Sequence, residues 1–165
     1  MKHFPELRYH EPRYDLRGHA MQLPQLEGSI AFLSVSHKNV IRGMHYQVGE
    51  HAQGKLVTVM RGRVFDVLVD LRKSSPDYGN WMEYNLVGPH VSLWVPPGYA
   101  HGFAALEDHT TVHYQLLGAH NPQAERVLYA FDSTVRVSWP VPRDAAILSE
   151  RDWAGVDWEF TEKFE

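Results

Sequence analysis

Residues 55–71 read Lys55-Leu56-Val57-Thr58-Val59-Met60-Arg61-Gly62-Arg63-Val64-Phe65-Asp66-Val67-Leu68-Val69-Asp70-Leu71. In the second half of this run, Phe65, Val67, Val69 and Leu71 fall on one side and Val64, Asp66, Leu68 and Asp70 on the other. Side chains of an extended chain alternate between two faces, so a period of two over this length predicts β-strand. Gly62 accepts backbone angles that other residues avoid, and Arg61-Gly62 is read as a hairpin turn between two strands.

Two further blocks follow the same rule. Residues 91–95 (Val91-Ser92-Leu93-Trp94-Val95) alternate and are ended by Pro96-Pro97-Gly98. Proline cannot donate to a ladder and glycine tolerates positive φ, so a sharp turn between strands is predicted there. In residues 110–117, Val112, Tyr114 and Leu116 stand opposite His113 and Gln115. Helix signals are few: Ser149 suits an N-cap, with Asp152 three residues on. Short strands parted by Gly, Pro, Asn and Asp turns point to an all-β sandwich or barrel of the jelly-roll kind. With no repeat, low-complexity stretch or linker, residues 1–165 are expected to form one domain.

Composition narrows the function. A net charge of −4 argues against a nucleic-acid partner, although a local cluster of Arg and Lys still suits a small anion. The absence of cysteine excludes disulfides, thiolate catalysis and Cys-ligated metal. No apolar run is long enough to span a bilayer, and the N-terminus lacks the apolar core of a secretory signal. A cytoplasmic enzyme without membrane partners is expected.

The chemistry gathers at Arg42-Gly43-Met44-His45 and Gln53-Gly54-Lys55. A neutral imidazole removes a proton and a nearby ammonium steadies the resulting negative charge, which is what proton abstraction beside a carbonyl requires. Most of the 11 histidines must be structural. His45 stands out because Arg42 precedes it and Lys55 follows across a presumed turn. Lys55 is unusual at the head of an apolar strand, where its ordinary use is to snorkel. His101 follows the proline turn and suits either a cavity wall or a backbone contact. Tyr114, in an apolar alternation, is either core or a phenol that returns a proton from the face opposite the base. Asp152 fits the third position of a capping box, and also a carboxylate that orients His45. Arg17, Arg42 and Arg151 suit bidentate pairing with phosphate oxygens. Jelly-roll enzymes of the cupin type ligate metals through a His-x-His pair. Here the pair is His45-Tyr46-Gln47, and an amide oxygen is a poor substitute for imidazole, so a metal-free site is expected.

Taken in order and spacing, these stretches resemble the dTDP-4-dehydrorhamnose 3,5-epimerase family. The resemblance rests on Asp15-Leu16-Arg17-Gly18, Val40-Ile41-Arg42-Gly43-Met44-His45-Tyr46-Gln47, Gln53-Gly54-Lys55, Ser75-Pro76-Asp77-Tyr78-Gly79, Trp94-Val95-Pro96-Pro97-Gly98-Tyr99-Ala100-His101-Gly102-Phe103 and Leu148-Ser149-Glu150-Arg151-Asp152. It implies a cupin-type jelly roll (a double-stranded β-helix) with short C-terminal helical segments, a homodimer and no cofactor. It also implies that His45 is the general base, Asp152 its orienting carboxylate, Tyr114 the proton donor and Lys55 the enolate-stabilising cation. Arg17, Arg42, His101, Glu125 and Arg151 match substrate-contacting positions, with Arg17 able to act in the neighbouring subunit. The chain departs from the family pattern at four places. Ile30 and Phe32 replace a Gln-x-Asn pair that contacts the nucleotide, Gln22 replaces a glutamate, and His120 replaces a second active-site tyrosine. The implied activity is epimerisation at C3, C5 or both of a nucleotide-linked 4-keto-6-deoxyhexose. A single-position epimerase on a CDP- or GDP-linked sugar, a 3,4-ketoisomerase of the same fold, and a non-catalytic sugar-nucleotide-binding jelly roll are the alternatives.

Overall fold

The computed structural model describes residues 3–16, 18–23 and 25–165. In chain order the strands are β1 (Glu6–Tyr9), β2 (Arg13–Asp15), β3 (Gly18–Ala20), β4 (Ser29–Ser36), β5 (Ile41–Gln47), β6 (Lys55–Arg61) and β7 (Arg63–Asp70). They continue with β8 (Trp81–Val87), β9 (Val91–Val95), β10 (Tyr99–Ala105), β11 (Thr110–Leu117) and β12 (Glu125–Val127). One helical turn, α1 (Glu150–Trp153), follows near the C-terminus. The strands form two antiparallel five-stranded sheets, ordered β1-β9-β6-β11-β4 and β12-β5-β10-β7-β8, with β2 and β3 paired as a separate ribbon. From β4 to β12 the chain changes sheet at every connection except β7 to β8. This is the jelly-roll winding that the turn spacing predicts. Among the described residues no helix is long and apolar enough to cross a membrane.

The hairpin expected at Arg61-Gly62 does not exist. β6 pairs with β9 and β11, whereas β7 pairs with β8 and β10 in the other sheet. Gly62, at φ +80°, carries the chain across the sandwich, so that Val57 and Val59 of β6 and Val64 and Leu68 of β7 meet in one core. A period of two says that a face is buried. It does not say which strand lies alongside and which lies across the core.

The alternation in β7 conceals a second burial. Val64 and Leu68 face the core between the sheets, while Phe65, Val67, Val69 and Leu71 face a separate cluster on the outside of the second sheet. C-terminal side chains including Trp139, Leu148, Trp158 and Phe164 pack against that cluster. The second sheet is therefore covered on both sides, and the carboxylates of Asp66 and Asp70 are fully buried within it. Asp70 is held by Arg72, which reaches it through both Nε and Nη2, and by the Ser75 hydroxyl.

β5 and β10 meet with an irregularity that shapes everything after it. His101 lies opposite His45 and Phe103 opposite Arg42, so three steps on β5 are matched by two on β10. This is a β-bulge. It allows Arg42 and His45, at an odd spacing, to face the same side. The bulge contains Gly43 at φ +127°, where an added Cβ would sit 2.5 Å from the Gly102 Cα and 2.8 Å from the His101 carbonyl oxygen. Both the dihedral and the contact exclude a side chain. Gly43→Ala is expected to destabilise the fold by about 3 kcal/mol, lowering the melting temperature by roughly 6–12 °C. Calorimetry or thermal circular dichroism measures it, and an unchanged melting temperature would show that the β5–β10 approach is not tight.

Candidate active site

The two sheets part at one end to leave a cavity of about 470 Å³. His45 from β5 enters from one sheet. Lys55 at the head of β6 and Tyr114 in β11 enter from the other. Period two in β11 puts Val112, Tyr114 and Leu116 on the inward face, and the bulge in β5 turns both Arg42 and His45 inward.

His45 Nε2 lies 2.6 Å from Asp152 Oδ1, and the Gly43 amide donates to Asp152 Oδ2 at 3.4 Å. Asp152 is presented by α1, whose N-cap Ser149 accepts a hydrogen bond from the Asp152 amide at 3.1 Å. The same residue thus occupies the capping position and the contact with His45. Burial works to raise the Asp152 carboxyl, yet its bonds to His45 and Gly43 hold it below the usual carboxylate range. An ionised carboxylate only accepts, so Nε2 of the imidazole carries the hydrogen and Nδ1 is left as the basic nitrogen. Burial also pulls His45 below its ordinary value; Asp152 opposes this, while Lys55 and Arg151 reinforce it. The imidazole is accordingly neutral near pH 7.

Lys55 Nζ donates to the His45 carbonyl oxygen at 3.1 Å. Burial pushes its ammonium down to about 8, against the pull of the Glu125 and Asp66 carboxylates. Tyr114 is buried, its phenol is raised chiefly by that burial, and its hydroxyl lies 3.3 Å from Ser34 Oγ. A phenol kept protonated on the wall opposite an imidazole kept neutral makes an acid–base pair across one cavity.

His101 is not a turn residue. It lies within β10, buried, with Nε2 3.0 Å from both oxygens of Asp66. Burial raises the Asp66 carboxyl, opposed by His101 and Lys55. Asp66 was missed as a site residue. Its signal was present in the sequence as a carboxylate flanked by Val64 and Leu68 on one face of a strand, and such a group needs a partner. Arg42 donates from Nε to Ser36 Oγ at 3.0 Å and from Nη2 to the Val35 carbonyl at 3.2 Å.

At the mouth, Arg151 grips Glu125 with two bonds of 2.8 and 2.9 Å, and His120 Nε2 lies 3.1 Å from Glu125 Oε2. Burial favours the protonated Glu125, but the bonds to His120 and Arg151 outweigh it and hold the carboxyl low. Both Arg151 and His120 line the cavity.

Two expected site residues stand apart. Gln22 does not reach this cavity; it lines a separate hollow with residues 23 and 25–29, His113 and Gln115. His113 and Gln115 occupy the opposite face of β11 from Tyr114, which puts Gln22 on the outside of the first sheet. Arg17 lies outside the described residues. Gln47, weighed above as a metal ligand, is buried and committed to backbone: its amide nitrogen donates to the carbonyls of His51 and Ala119, and its oxygen accepts from the Asn121 amide. Among the described residues no group of three or more His, Cys, Asp or Glu side chains gathers as a metal site.

A jelly roll that gathers a carboxylate-held imidazole, an ammonium and a protonated phenol around one cleft is suited to moving protons on a bound ligand. The chain belongs to the dTDP-4-dehydrorhamnose 3,5-epimerase family, which it matches over residues 10–159. A dTDP-4-dehydrorhamnose 3,5-epimerase of Neisseria gonorrhoeae is 44% identical over 131 residues, 79% of this chain and 39% of that protein. One of Mycobacterium tuberculosis H37Rv is 40% identical over 144 residues, 86% of this chain and 69% of that protein. The chain thus spans well under two thirds of the Neisseria relative and about two thirds of the Mycobacterium one. Among solved structures, a Legionella pneumophila dTDP-6-deoxy-D-glucose-3,5-epimerase in complex with dTDP-4-keto-L-rhamnose superimposes with a TM-score of 0.89 at 30% identity, covering 96% of this chain and 89% of the other. The dTDP-4-dehydrorhamnose 3,5-epimerase of Sulfolobus tokodaii gives 0.88 at 34% identity, covering 98% and 94%.

Proposed function

We propose that this chain epimerises a nucleotide-linked 4-keto-6-deoxyhexose at C3 and C5, with dTDP as the nucleotide of its relatives. The observation that carries this reading is that the Asp152-bound His45 and Tyr114 line one cavity from opposite sheets, with Lys55 bonded to the His45 carbonyl. His45 Nδ1 takes a proton from the carbon beside the ketone, and the C–H electron pair moves onto the C4 oxygen. The Lys55 ammonium neutralises that oxyanion. Tyr114 then delivers a proton to the opposite face of the carbon, and solvent restores both groups to their starting states. A proton leaves and a proton returns, so the oxidation state is unchanged and the chemistry requires no redox group. Each well-placed acid or base contributes about 10²–10⁴-fold.

The test is incubation with dTDP-4-keto-6-deoxyglucose in deuterium oxide, followed by NMR. Deuterium at C3 and C5 with inverted configuration is expected; an unlabelled sugar would overturn the reading. Label at one carbon alone would assign a single-position epimerase, the reading favoured by His120, which is tied to Glu125 where the family pattern has a tyrosine. Movement of the carbonyl would assign a ketoisomerase.

The charge states set a pH dependence. The base must be neutral and its value lies below the ordinary 6.5, so kcat/KM should fall only as pH drops beneath that. Lys55 must be cationic and titrates at about 8, so a second loss is expected as pH rises through that region. A bell with its alkaline limb near 8 supports these roles, and a rate still rising at pH 9 contradicts them.

We further infer a homodimer, in keeping with the exposed Leu33 and Val35 on the outer face of edge strand β4. The outward position of Gln22 supports an N-terminal segment, including Arg17, that serves a neighbouring subunit's cavity. Light scattering measures the oligomeric state.

A further inference from the structure

The cavity has two chemically unlike sides. Arg42, Lys55 and Arg151 put cations on one of them, with Glu125 bonded to Arg151 at the mouth. The other is the free edge of the first sheet, where Ile30 stands directly across from Leu116 and Phe32 directly across from Tyr114. These pairs form one continuous block, two strands wide, with Phe32 leaning on the Tyr114 ring at 5.7 Å between centroids. Ile30 and Phe32 are 55% and 57% exposed although both line the cavity. They point to the opposite side of β4 from Leu33 and Val35. Lys55 lies on the far side of Leu116 in the same row, so Ile30 is two strands, about 10 Å, from the Lys55 position. A sugar held at Lys55 and Tyr114 therefore leaves this shelf for the next portion of the same ligand.

We propose that the Ile30–Phe32 shelf takes the flat face of the substrate's nucleobase, so that the chain accepts nucleoside-diphosphate sugars with little regard to the base. This rests on the epimerase reading above for the identity of the ligand. Neither side chain has a donor or acceptor with which to read a base edge. Every base has a π-face, and stacking is tolerant of base identity. A site that hydrogen-bonds its ligand can reject an analogue by about 10⁴–10⁵-fold, whereas even an enclosed hydrophobic pocket separates ligands differing by one methylene by only about 10–200-fold, and a half-exposed shelf encloses less of the ring and separates them less. Affinity comes from the diphosphate on the cationic side and from the ring on the shelf; the base edges stay in water.

The test is calorimetric titration of the intact protein with TDP, UDP, CDP and GDP, and with inorganic diphosphate as the baseless control. The four nucleotides are expected to bind within about tenfold of one another, each at least about tenfold tighter than diphosphate. Phe32→Ala should weaken every nucleotide by about tenfold and leave diphosphate unchanged. Preference for one base beyond about 100-fold, nucleotides no tighter than diphosphate, or a Phe32→Ala variant with wild-type affinities would each overturn the proposal. The wild-type series decides the matter even where the variant folds poorly, and Ile30→Gln, which adds an edge-reading amide, should widen the spread among bases. Deuterium incorporation into the sugar is scored separately. A protein that labels its substrate but binds TDP alone loses the shelf and keeps the epimerase assignment. One that binds all four nucleotides and labels no sugar does the reverse.

Discussion

His45→Asn is expected to lower kcat by about 10³-fold, close to 4 kcal/mol of lost transition-state stabilisation. Asparagine keeps a hydrogen-bonding side chain of similar reach toward Asp152 but has no nitrogen able to accept a proton at neutral pH. Substrate binding should survive, because the cationic groups that face an anionic ligand are untouched. The diagnostic result is a parallel loss of two signals: the inverted product and the deuterium exchanged into it. If exchange continued at the wild-type rate while inversion stopped, another group would be the base and His45 would serve a later step. Asp152→Asn gives a supporting measurement. It removes the influence that raises the His45 value, so the acid limb of the pH profile should move to lower pH as the rate falls.

Lys55→Met is expected to reduce kcat by about 10²–10³-fold, the loss seen when one donor to a developing oxyanion is removed from a dry site. Methionine matches the length and apolar stem of lysine, so the packing at the head of β6 is preserved while the charge is deleted. Two readouts separate this role from a structural one. The alkaline limb near pH 8 should vanish, because the group that titrates there has gone. The melting temperature should hold or rise, because a partly desolvated ammonium no longer has to be kept charged. A variant that retains both its alkaline limb and its rate would show that the enolate oxygen is stabilised elsewhere.

Much of the architecture was legible in the chain. The block at residues 110–117 became β11 with the expected faces, Pro96-Pro97-Gly98 ended β9, and Ser149 capped the short α1 with Asp152 in place. These features depend on local rules: side-chain alternation, the missing proline donor, and a hydroxyl that satisfies an amide. The error at Arg61-Gly62 is of another kind. A glycine between two alternating runs makes an equally good hairpin or an arch across a sandwich, and the choice rests on which apolar face finds which partner. Asp66 shows the same limit. Its position in an apolar strand signals a buried carboxylate, but that its partner is His101 follows from β7 and β10 lying side by side.

By itself the sequence determined that this would be a β-protein with a histidine, a lysine, a tyrosine and a carboxylate available for proton transfer, since residue types and a period of two are local properties. Only the tertiary structure decided that they share one cleft. Arg42 and His45, three apart, belong on opposite faces of a regular strand; the bulge at Gly43, possible because that backbone packs against Gly102 with no side chain between them, turns both inward. Asp152, more than 100 residues along the chain from His45, arrives because α1 packs beside β5. Long-range packing selects among the many arrangements that local preferences permit, and the site is one of those selections.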